Sequence, residues 1–241
     1  YLGRISYNYD DTYHLSFSLR RDGSSVFGAD NKWGYFPAVG VAWTASNEQF
    51  IKAIKAISYL KFKASWGKNG NQSLDPYKTL SKIALGQNGG YSIPFGNPSV
   101  LHWAQRVSEI GNVDLGWEET SSFNYGFELG LLDERIHVDF DGYFSKTTNQ
   151  IFDRTIPVMA NGLKSMKATM GQVDNWGIEV NLSTVNIRNK DLEWTSGLTF
   201  YLNRNKLAEL YGDGKDDINN KLFIGKSLGA IYGYKNIGIV Q

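Results

Sequence analysis

The sequence predicts an all-β protein whose strands run antiparallel, up and down, in the manner of a barrel. Three observations lead to this prediction. Apolar and polar residues alternate strictly along several segments, the connections between those segments alternate between short and long, and Gly and aromatic residues are abundant, with 26 Gly, 14 Tyr, 13 Phe and 7 Trp in 241 residues. Alternation with a period of two places one class of side chain on each face of a β-strand.

The alternation places the predicted strands in chain order. In the first clear segment Tyr13, Leu15, Phe17 and Leu19 alternate with polar residues without a miss. Segments with the same period follow at 60–66, 123–131, 135–145, 175–182 and 192–203. Weaker strands at about 2–9 and 35–44 bring the number to about eight, and a ninth is expected to begin near Leu228.

The connections predict which strand ends lie together. Three of them read as tight hairpin turns, at Asp10-Asp11, at Leu132 to Glu134 and at Asn189 to Asp191. The others are long and rich in Gly, Asn, Asp and Ser, at about 22–34, 67–117, 148–173 and 204–226. Short turns therefore collect at one end of the strands and long loops at the other.

One segment at the short-turn end, about 46–57, predicts a helix instead. Ser46 to Gln49 has the pattern of a capping box, and apolar residues follow it at helical spacing, at Phe50, Ile54 and Ile57. We expect a short helix lying across that end of the strands.

Aromatic residues of the apolar face form two groups. Tyr9, Tyr13, Trp43 and Trp194 lie beside the short turns, and Trp66, Phe123, Phe144 and Trp176 lie near the long loops. Bacterial outer-membrane barrels carry two such girdles, with short turns in the periplasm and long loops outside the cell. The sequence therefore predicts a transmembrane β-barrel. A soluble β-sandwich or propeller would show the same alternation, but it does not account for the unequal loops or the girdles.

The polar face of the predicted strands carries large ionisable groups, which would be costly in a dry core. We expect them to face a wide, watered lumen or a polar plug inside it. These residues are Arg20, Lys61, Lys63, Glu128 and Arg135. At one strand end, Arg21 and Asp22 are expected to pair with each other.

Aromatic residues of the long loops are candidates for contact with a substrate or partner, because exposed rings stack on sugars and grip peptides. The candidates are Trp33, Tyr91, Trp103 and Tyr211. Packing of the long loops against one another is the competing reading, since ordered loops need cores of their own.

Composition argues against an enzyme or a metal protein. There is no Cys, so there is no disulfide, thiolate ligand or cysteine nucleophile, and the three His residues are scattered.

Two short motifs resemble ligand-binding sites but depart from their patterns. Gly225-Lys226-Ser227 resembles the end of a P-loop, but Asn220 stands where that motif needs Gly. The acidic run at 213–217 misses the EF-hand order and reads as a solvated loop. The net charge of +1 gives no excess of positive charge for binding nucleic acid. We therefore expect no catalytic residues, cofactor, metal or nucleic acid.

Short motifs along nearly the whole chain resemble, in number and order, the barrel domain of the SusC/RagA-type TonB-dependent transporters of Bacteroidetes. They are Arg21 to Ser25 with Phe27 and Gly28, Trp33 to Pro37 with Ala42 and Trp43, Ser46 with Glu48 and Phe50, Lys61 to Gly67 with Gly70 and Asn71, Trp117 with Glu118, Asn124 with Gly126, Asp141 with Tyr143 and Thr147, Asn175 to Glu179, and Gly225 to Gly229 with Gly233, Tyr234 and Gly238.

The resemblance implies a 22-stranded outer-membrane barrel around an N-terminal plug. It also implies a SusD-like surface lipoprotein acting as a lid, energy from the TonB-ExbB-ExbD complex, contact with outer-membrane lipid, and import of glycans, oligosaccharides or peptides. Both ends of the chain read as strand interiors, so residues 1–241 are expected to be about eight or nine strands of that one barrel domain, without the plug and the remaining strands.

Two other classes of protein remain open at this point. One is a complete eight-stranded outer-membrane barrel serving as an adhesin or structural anchor, in which the first and last strands would pair. The other is a soluble carbohydrate-binding β-domain, which would stay in solution without detergent.

Overall fold

The computed structural model describes residues 1–85, 92–94, 101–103, 105–156, 163, 165–169, 171–235 and 238. Strands account for most of the regular structure. In chain order they are β1 (Leu2–Tyr9), β2 (Tyr13–Gly23), β3 (Trp33–Thr44), β4 (Ile57–Asn71), β5 (Lys82–Leu85), β6 (Ser92–Pro94), β7 (Leu101–Trp103), β8 (Gln105–Glu109), β9 (Glu118–Leu131), β10 (Ile136–Thr148), β11 (Ile151–Thr155), β12 (Ser165–Thr169), β13 (Gly171–Arg188) and β14 (Glu193–Leu210).

Eight of these strands form one sheet in the order β1-β2-β3-β4-β9-β10-β13-β14. Every neighbouring pair in it is antiparallel, as an up-and-down meander requires. Within the described residues the sheet is open, with β1 and β14 at its two edges. The predicted all-β, antiparallel, up-and-down architecture is therefore confirmed.

Side chains of the apolar face hold the strands in register. One cross-strand row runs through Trp43, Phe62, Phe127, Phe140 and Val180 on five successive strands. Its ring centroids are 5.8 Å apart between Trp43 and Phe62 and 5.4 Å apart between Phe127 and Phe140. Because a slip of one residue would turn every ring to the polar face, this row specifies the pairing of the strands.

The apolar face of the sheet is uncovered. Leu15, Phe17 and Leu19 of β2 are each between 43% and 49% exposed, and large apolar residues of every other strand in the sheet are exposed as well. Most of the buried apolar residues lie instead at the long-loop end, among them Phe27, Leu115 and Leu207. An apolar area of this extent needs an apolar surrounding or a partner to cover it.

The predicted hairpin turns are present between strands of the sheet. Asp10 and Asp11 have φ of 51° and 47°, and Asp133 has φ of 54°, the left-handed conformation that a tight turn requires. In the third turn the Asn189 side-chain oxygen accepts hydrogen bonds from the backbone N–H of Asp191 and of Leu192, at 3.0 and 2.8 Å.

The predicted helix is much shorter in the structure. A 3-10 turn covers Ala45–Asn47 and a single α-helical turn, α1, covers Gln49–Lys52. Glu48 is the N-cap and makes no side-chain capping bond, so the capping box expected from Ser46 is wrong. Phe50 and Ile54 are 62% and 46% exposed, and without burial of an apolar face a short helix gains little stability. Among the described residues no helix has the length and apolar character needed to cross a membrane.

The strands are longer than the alternation predicted. β13 and β14 have 18 residues each and reach into segments predicted as loops. Small antiparallel pairs, β5 with β8, β6 with β7 and β11 with β12, also lie within the long connections. The ninth strand expected near Leu228 is absent from the described residues 228–235. A strand exists only where a neighbour pairs with it, and such pairing is not a local property of the sequence.

Candidate functional site

The polar face of the sheet carries an ion-paired centre on β4, β9 and β10. Lys63 Nζ lies 3.0 Å from Asp141 Oδ1 and 3.5 Å from Glu128 Oε1. Lys63, Gly126 and Asp141 are cross-strand neighbours in one row. Because Gly126 has no side chain, the Lys63 side chain passes over it and reaches Asp141. A Cβ at Gly126 would lie 2.6 Å from Asp141 Oδ1 and 2.9 Å from Lys63 Cε.

Carboxylates outnumber cations around this centre. Glu128 has Lys61 on one side and Asp139 on the other in the strand register, and Asp141 stands opposite Glu179. His137 lies 3.3 Å from Asp139. Four carboxylates of β9, β10 and β13 thus face two lysines of β4, so this part of the polar face attracts cationic groups. Among the residues that the structure describes, no cluster of His, Asp and Glu could hold a metal ion.

A second polar contact lies closer to the long loops. The Tyr143 ring covers Gly177, where a Cβ would be 2.6 Å from the Tyr143 Cε1 atom. The Tyr143 hydroxyl accepts a hydrogen bond of 2.7 Å from the Asn203 side-chain amide. Asp141, Tyr143 and Asn203 were not among the predicted site residues, although the same alternation places them on the polar face.

Three of the five predicted lumen residues lie together, and the other two lie elsewhere on the sheet. Lys61, Lys63 and Glu128 lie together on the polar face as described above. Arg20 pairs with Asp22 instead, at 2.6 Å from Nε to Oδ2. Arg135 lies at the short-turn end, where its Nη2 donates to the Asn186 carbonyl at 2.9 Å and its Nε to the Val185 carbonyl at 3.2 Å. Whether these five residues meet a plug stays a prediction.

The expected pair of Arg21 with Asp22 is wrong, because consecutive strand residues point to opposite faces. Asp22 shares the polar face with Arg20, while Arg21 lies on the apolar face. There the Arg21 guanidinium stands 4.3 Å from the Trp33 ring centroid and 5.3 Å from that of Tyr35. Both distances are typical of a cation–π contact.

The first two long loops are joined by specific contacts. The Asn31 side-chain amide donates to the Asp114 carbonyl at 3.1 Å, and the Trp117 indole N–H donates to the Lys32 carbonyl at 3.3 Å. The rings of Phe27 and Trp117 lie 5.0 Å apart. Loop 24–32 is therefore held against the end of loop 72–117.

Further contacts connect that loop to the others. The Asn112 amide donates to the Lys167 carbonyl of β12 at 3.0 Å. The Tyr211 hydroxyl lies 3.1 Å from the Asp153 carbonyl and 3.2 Å from Asp217 Oδ2. Around it, Val173, Leu207 and Leu210 form a buried apolar cluster. The described parts of the four long loops are thus joined into one interlocked layer at their end of the sheet.

The pKa values of two polar groups in this layer are shifted from their ordinary values. Burial, followed by the nearby Asp217 charge, raises the pKa of Tyr211 to about 12. Burial would raise the pKa of Asp217, but hydrogen bonds from Asn220 and Tyr211 outweigh it, and the net shift is downward. The pair therefore remains a neutral phenol beside a carboxylate over the whole physiological pH range.

The loop aromatics predicted to contact a substrate lie in different surroundings. Trp33 is on the apolar side under Arg21 and packs over Gly23. Tyr211 is partly buried against the apolar cluster of the loop layer. Tyr91 lies outside the described residues, and the structure does not describe the Trp103 side chain. A ligand-contact role for these four stays a prediction.

Known proteins share both the sequence and the fold. Residues 3–234 match the family described as TonB dependent receptor-like, beta-barrel. The chain is 38% identical over 239 residues to TonB-dependent receptor P39 of Formosa agariphila, covering 99% of this chain and 22% of that protein. It is 31% identical over 217 residues to TonB-dependent receptor SusC of Bacteroides thetaiotaomicron, covering 90% of this chain and 21% of that protein.

A solved structure of the RagAB peptide transporter superposes with a TM-score of 0.79 at 27% identity, covering 93% of this chain and 24% of that one. The chain thus spans between a fifth and a quarter of the length of these relatives. The match to the family covers nearly all of the open eight-stranded sheet and the loop layer. The chain belongs to the TonB-dependent receptor family and forms part of its transmembrane β-barrel.

Proposed function

We propose that this chain forms part of the wall and outer vestibule of a TonB-dependent importer in the bacterial outer membrane. The observation that carries the proposal is one antiparallel sheet with an exposed apolar face and an ion-paired polar face, in a chain of the TonB-dependent receptor family. The apolar face suits lipid and the polar face suits a watered lumen.

The ion pairs of the polar face would hold a plug within the lumen. The side chains of Lys63 and Asp141 are 35% and 49% exposed. Ion pairs with this much exposure contribute little net stability, because water competes for both partners. A plug that meets Lys63, Glu128 and Asp141 could therefore exchange its contacts for water at low cost when it moves.

The interlocked loops would form the rim on which a SusD-like lipoprotein closes as a lid. Their hydrogen bonds join segments far apart in the chain, such as Asn31 with Asp114 and Asn112 with Lys167. A rim ordered before the lid arrives loses less conformational entropy on binding than separate mobile loops would. We propose glycans, oligosaccharides or peptides as the class of substrate.

Uptake by cells tests the proposal. A strain lacking the full-length gene should lose growth on either an oligosaccharide mixture or a peptide mixture supplied as sole nutrient, and the intact gene should restore it. A protonophore should stop uptake in the restored strain, since TonB coupling draws on the proton gradient. Growth on both mixtures without the gene, or uptake that ignores the protonophore, would refute the import function.

Variants test the part played by this segment. Lys63→Glu puts a third carboxylate between Asp141 and Glu128 and should reduce uptake at an unchanged amount of protein in the membrane. Lys55→Glu, on the exposed connection after α1, is the matched control and should leave uptake unchanged. Equal uptake by both variants would show that Lys63 has no role in transport.

The two other classes of protein have less support. A complete small barrel would pair its first and last strands, whereas β1 and β14 are opposite edges of the sheet. A soluble carbohydrate-binding domain would cover its apolar face, whereas Leu15 and Phe17 are exposed along with their neighbours.

A further inference from the structure

We propose that the polar face carries a binding site for an uncharged oligosaccharide, in a fissure where β3 and β4 separate at the long-loop end. The register between the two strands ends at Ala38 and Gly67, although β3 begins at Trp33 and β4 continues to Asn71. A cavity of about 310 Å³ opens there, within the range of small-molecule sites. The inference rests on the import function proposed above and names a substrate class and the residues that bind it.

Aromatic rings form the floor of the fissure. Phe36 is only 6% exposed, and its ring fills the gap between the strands, where a Cβ at Gly34 or at Gly70 would collide with it. The Trp117 ring lies 5.4 Å from that of Phe36, lines the cavity and is partly exposed. Because the Trp117 indole N–H already donates to the Lys32 carbonyl, the ring is held in place and presents its apolar surface to the cavity.

Polar side chains form the rim. Asn69 and Gln72 line one side, and both residues are exposed. Their side-chain amides form no hydrogen bond with any residue in the described part of the chain. Arg20 and Asp22 line the other side and pair with each other at 2.6 Å, so their charges cancel. The rim therefore offers free hydrogen-bonding groups without a net charge.

This combination matches the chemistry of an uncharged sugar. Sugar hydroxyls both donate and accept hydrogen bonds, and each primary amide of Asn69 and Gln72 has two donors and one acceptor oxygen. The C–H face of a pyranose ring is apolar and stacks on an aromatic surface such as that of Trp117. A charged sugar or a peptide with charged ends would find no free counter-charge on the rim, since Arg20 and Asp22 neutralise each other.

The position of the fissure suits a substrate that enters from the long-loop end. Trp117 also packs against Phe27 of the first long loop, with ring centroids 5.0 Å apart. The ion-paired centre lies further along the same strands, because Lys63 stands opposite Ala42 and the last paired residue of β3 at the fissure is Ala38. Four residues of strand span about 13 Å. A sugar would thus meet the fissure before it reaches the ion pairs.

Sugar binding by the full-length protein tests the site. Protein purified in mild detergent, together with the lipoprotein that accompanies it, is titrated calorimetrically with maltohexaose, xylohexaose, mannohexaose and hexa-alanine. At least one of the three hexasaccharides should bind, and hexa-alanine should not. Asn69→Ala and Gln72→Ala should each weaken binding of that sugar about fivefold, the loss of about one hydrogen bond. Gln49→Ala, which removes an exposed amide on α1 at the short-turn end, is the matched control and should bind as the unaltered protein does.

A charge variant tests why the site prefers uncharged sugars. Asp22→Asn leaves Arg20 without its carboxylate, so the variant should bind hexagalacturonate, an anionic sugar, at least fivefold more tightly than the unaltered protein does. A pair that only stabilises the strand end would not change the preference between charged and uncharged sugars. Heat-modifiable migration on gels checks separately that each variant folds.

Three results would overturn the inference. They are binding of none of the three hexasaccharides, binding of hexa-alanine in their place, and equal binding by the Asn69→Ala, Gln72→Ala and Gln49→Ala variants. Uptake of a peptide mixture by a protein that binds no hexasaccharide would remove the sugar site and leave the import function standing. Sugar binding by a protein whose loss does not affect uptake would do the reverse, so the two proposals fail independently.

Discussion

At the scale of single residues, Gly126 allows Lys63 and Asp141 to meet across the strand that lies between them. A Cβ there would be 2.3 Å from the Phe140 carbonyl oxygen as well as 2.6 Å from Asp141 Oδ1. We expect Gly126→Ala to lower the free energy of unfolding of the full-length protein by about 1–3 kcal/mol, as overpacking does. Thermal unfolding in detergent, followed by heat-modifiable gel migration, measures this loss.

Gly197 on β14 is the matched control for that substitution. The nearest atom to a Cβ at Gly197 is the Leu182 carbonyl oxygen at 3.9 Å, an ordinary contact. Gly197→Ala should therefore be neutral or slightly stabilising, because alanine restricts the unfolded chain. If both substitutions destabilised the protein equally, the close packing at Gly126 would not be the cause.

The ion pair between Lys63 and Asp141 can be measured in the same protein. A double-mutant cycle with Lys63→Met and Asp141→Asn should give a coupling energy of about 0.2–1 kcal/mol, because both side chains are partly exposed and screened by water. A coupling above about 2 kcal/mol would mean that a plug buries the pair, and a coupling of zero would mean that the pair does not form.

At the scale of one element, the pair β5–β8 depends on pH through Glu109. Hydrogen bonds from Lys78, then from Lys82, lower the pKa of Glu109. The Glu109 hydrogen bond in turn raises the pKa of Lys78. The carboxylate's contribution is therefore present above the ordinary glutamate pKa of about 4.3 and is lost as pH falls through the lowered folded value. The contribution of Lys78 is present below its ordinary pKa and is lost as pH rises through the raised one.

Hydrogen exchange of the β5–β8 amides tests this dependence. After correction for intrinsic rates, protection should be greatest between those limits and should fall in acid. Glu109→Gln should abolish the acid-side loss, because glutamine does not titrate in this range. An unchanged acid profile in the variant would show that other carboxylates control this part of the loop layer.

At the scale of the whole molecule, the open sheet determines how the chain behaves outside a complete barrel. β1 and β14 are both edges, and their backbone N–H and C=O groups cannot remain unpaired in lipid. Residues 1–241 refolded alone in detergent should therefore associate through these edges and give no heat-modifiable monomer. The full-length protein should give one, and size-exclusion chromatography with gel migration distinguishes the two results.

Local patterns were sufficient to predict most of the sheet. The period of two depends only on neighbouring residues, so it assigned Leu15 to the apolar face and Lys63 to the polar face. The turns could also be predicted from the sequence. Asp10 and Asp133 have left-handed φ angles, and aspartate is a residue type that tolerates this conformation in tight turns. Both the faces of the sheet and its meander order follow from such short-range information.

Contacts between distant parts of the chain were decided only in the folded protein. Lys63 meets Asp141, 78 residues further on, because the register of three strands brings them over Gly126. Packing of the loops likewise draws Tyr211 to Asp153. Register and loop packing are set by the sum of many long-range contacts, whereas alternation is a property of adjacent residues.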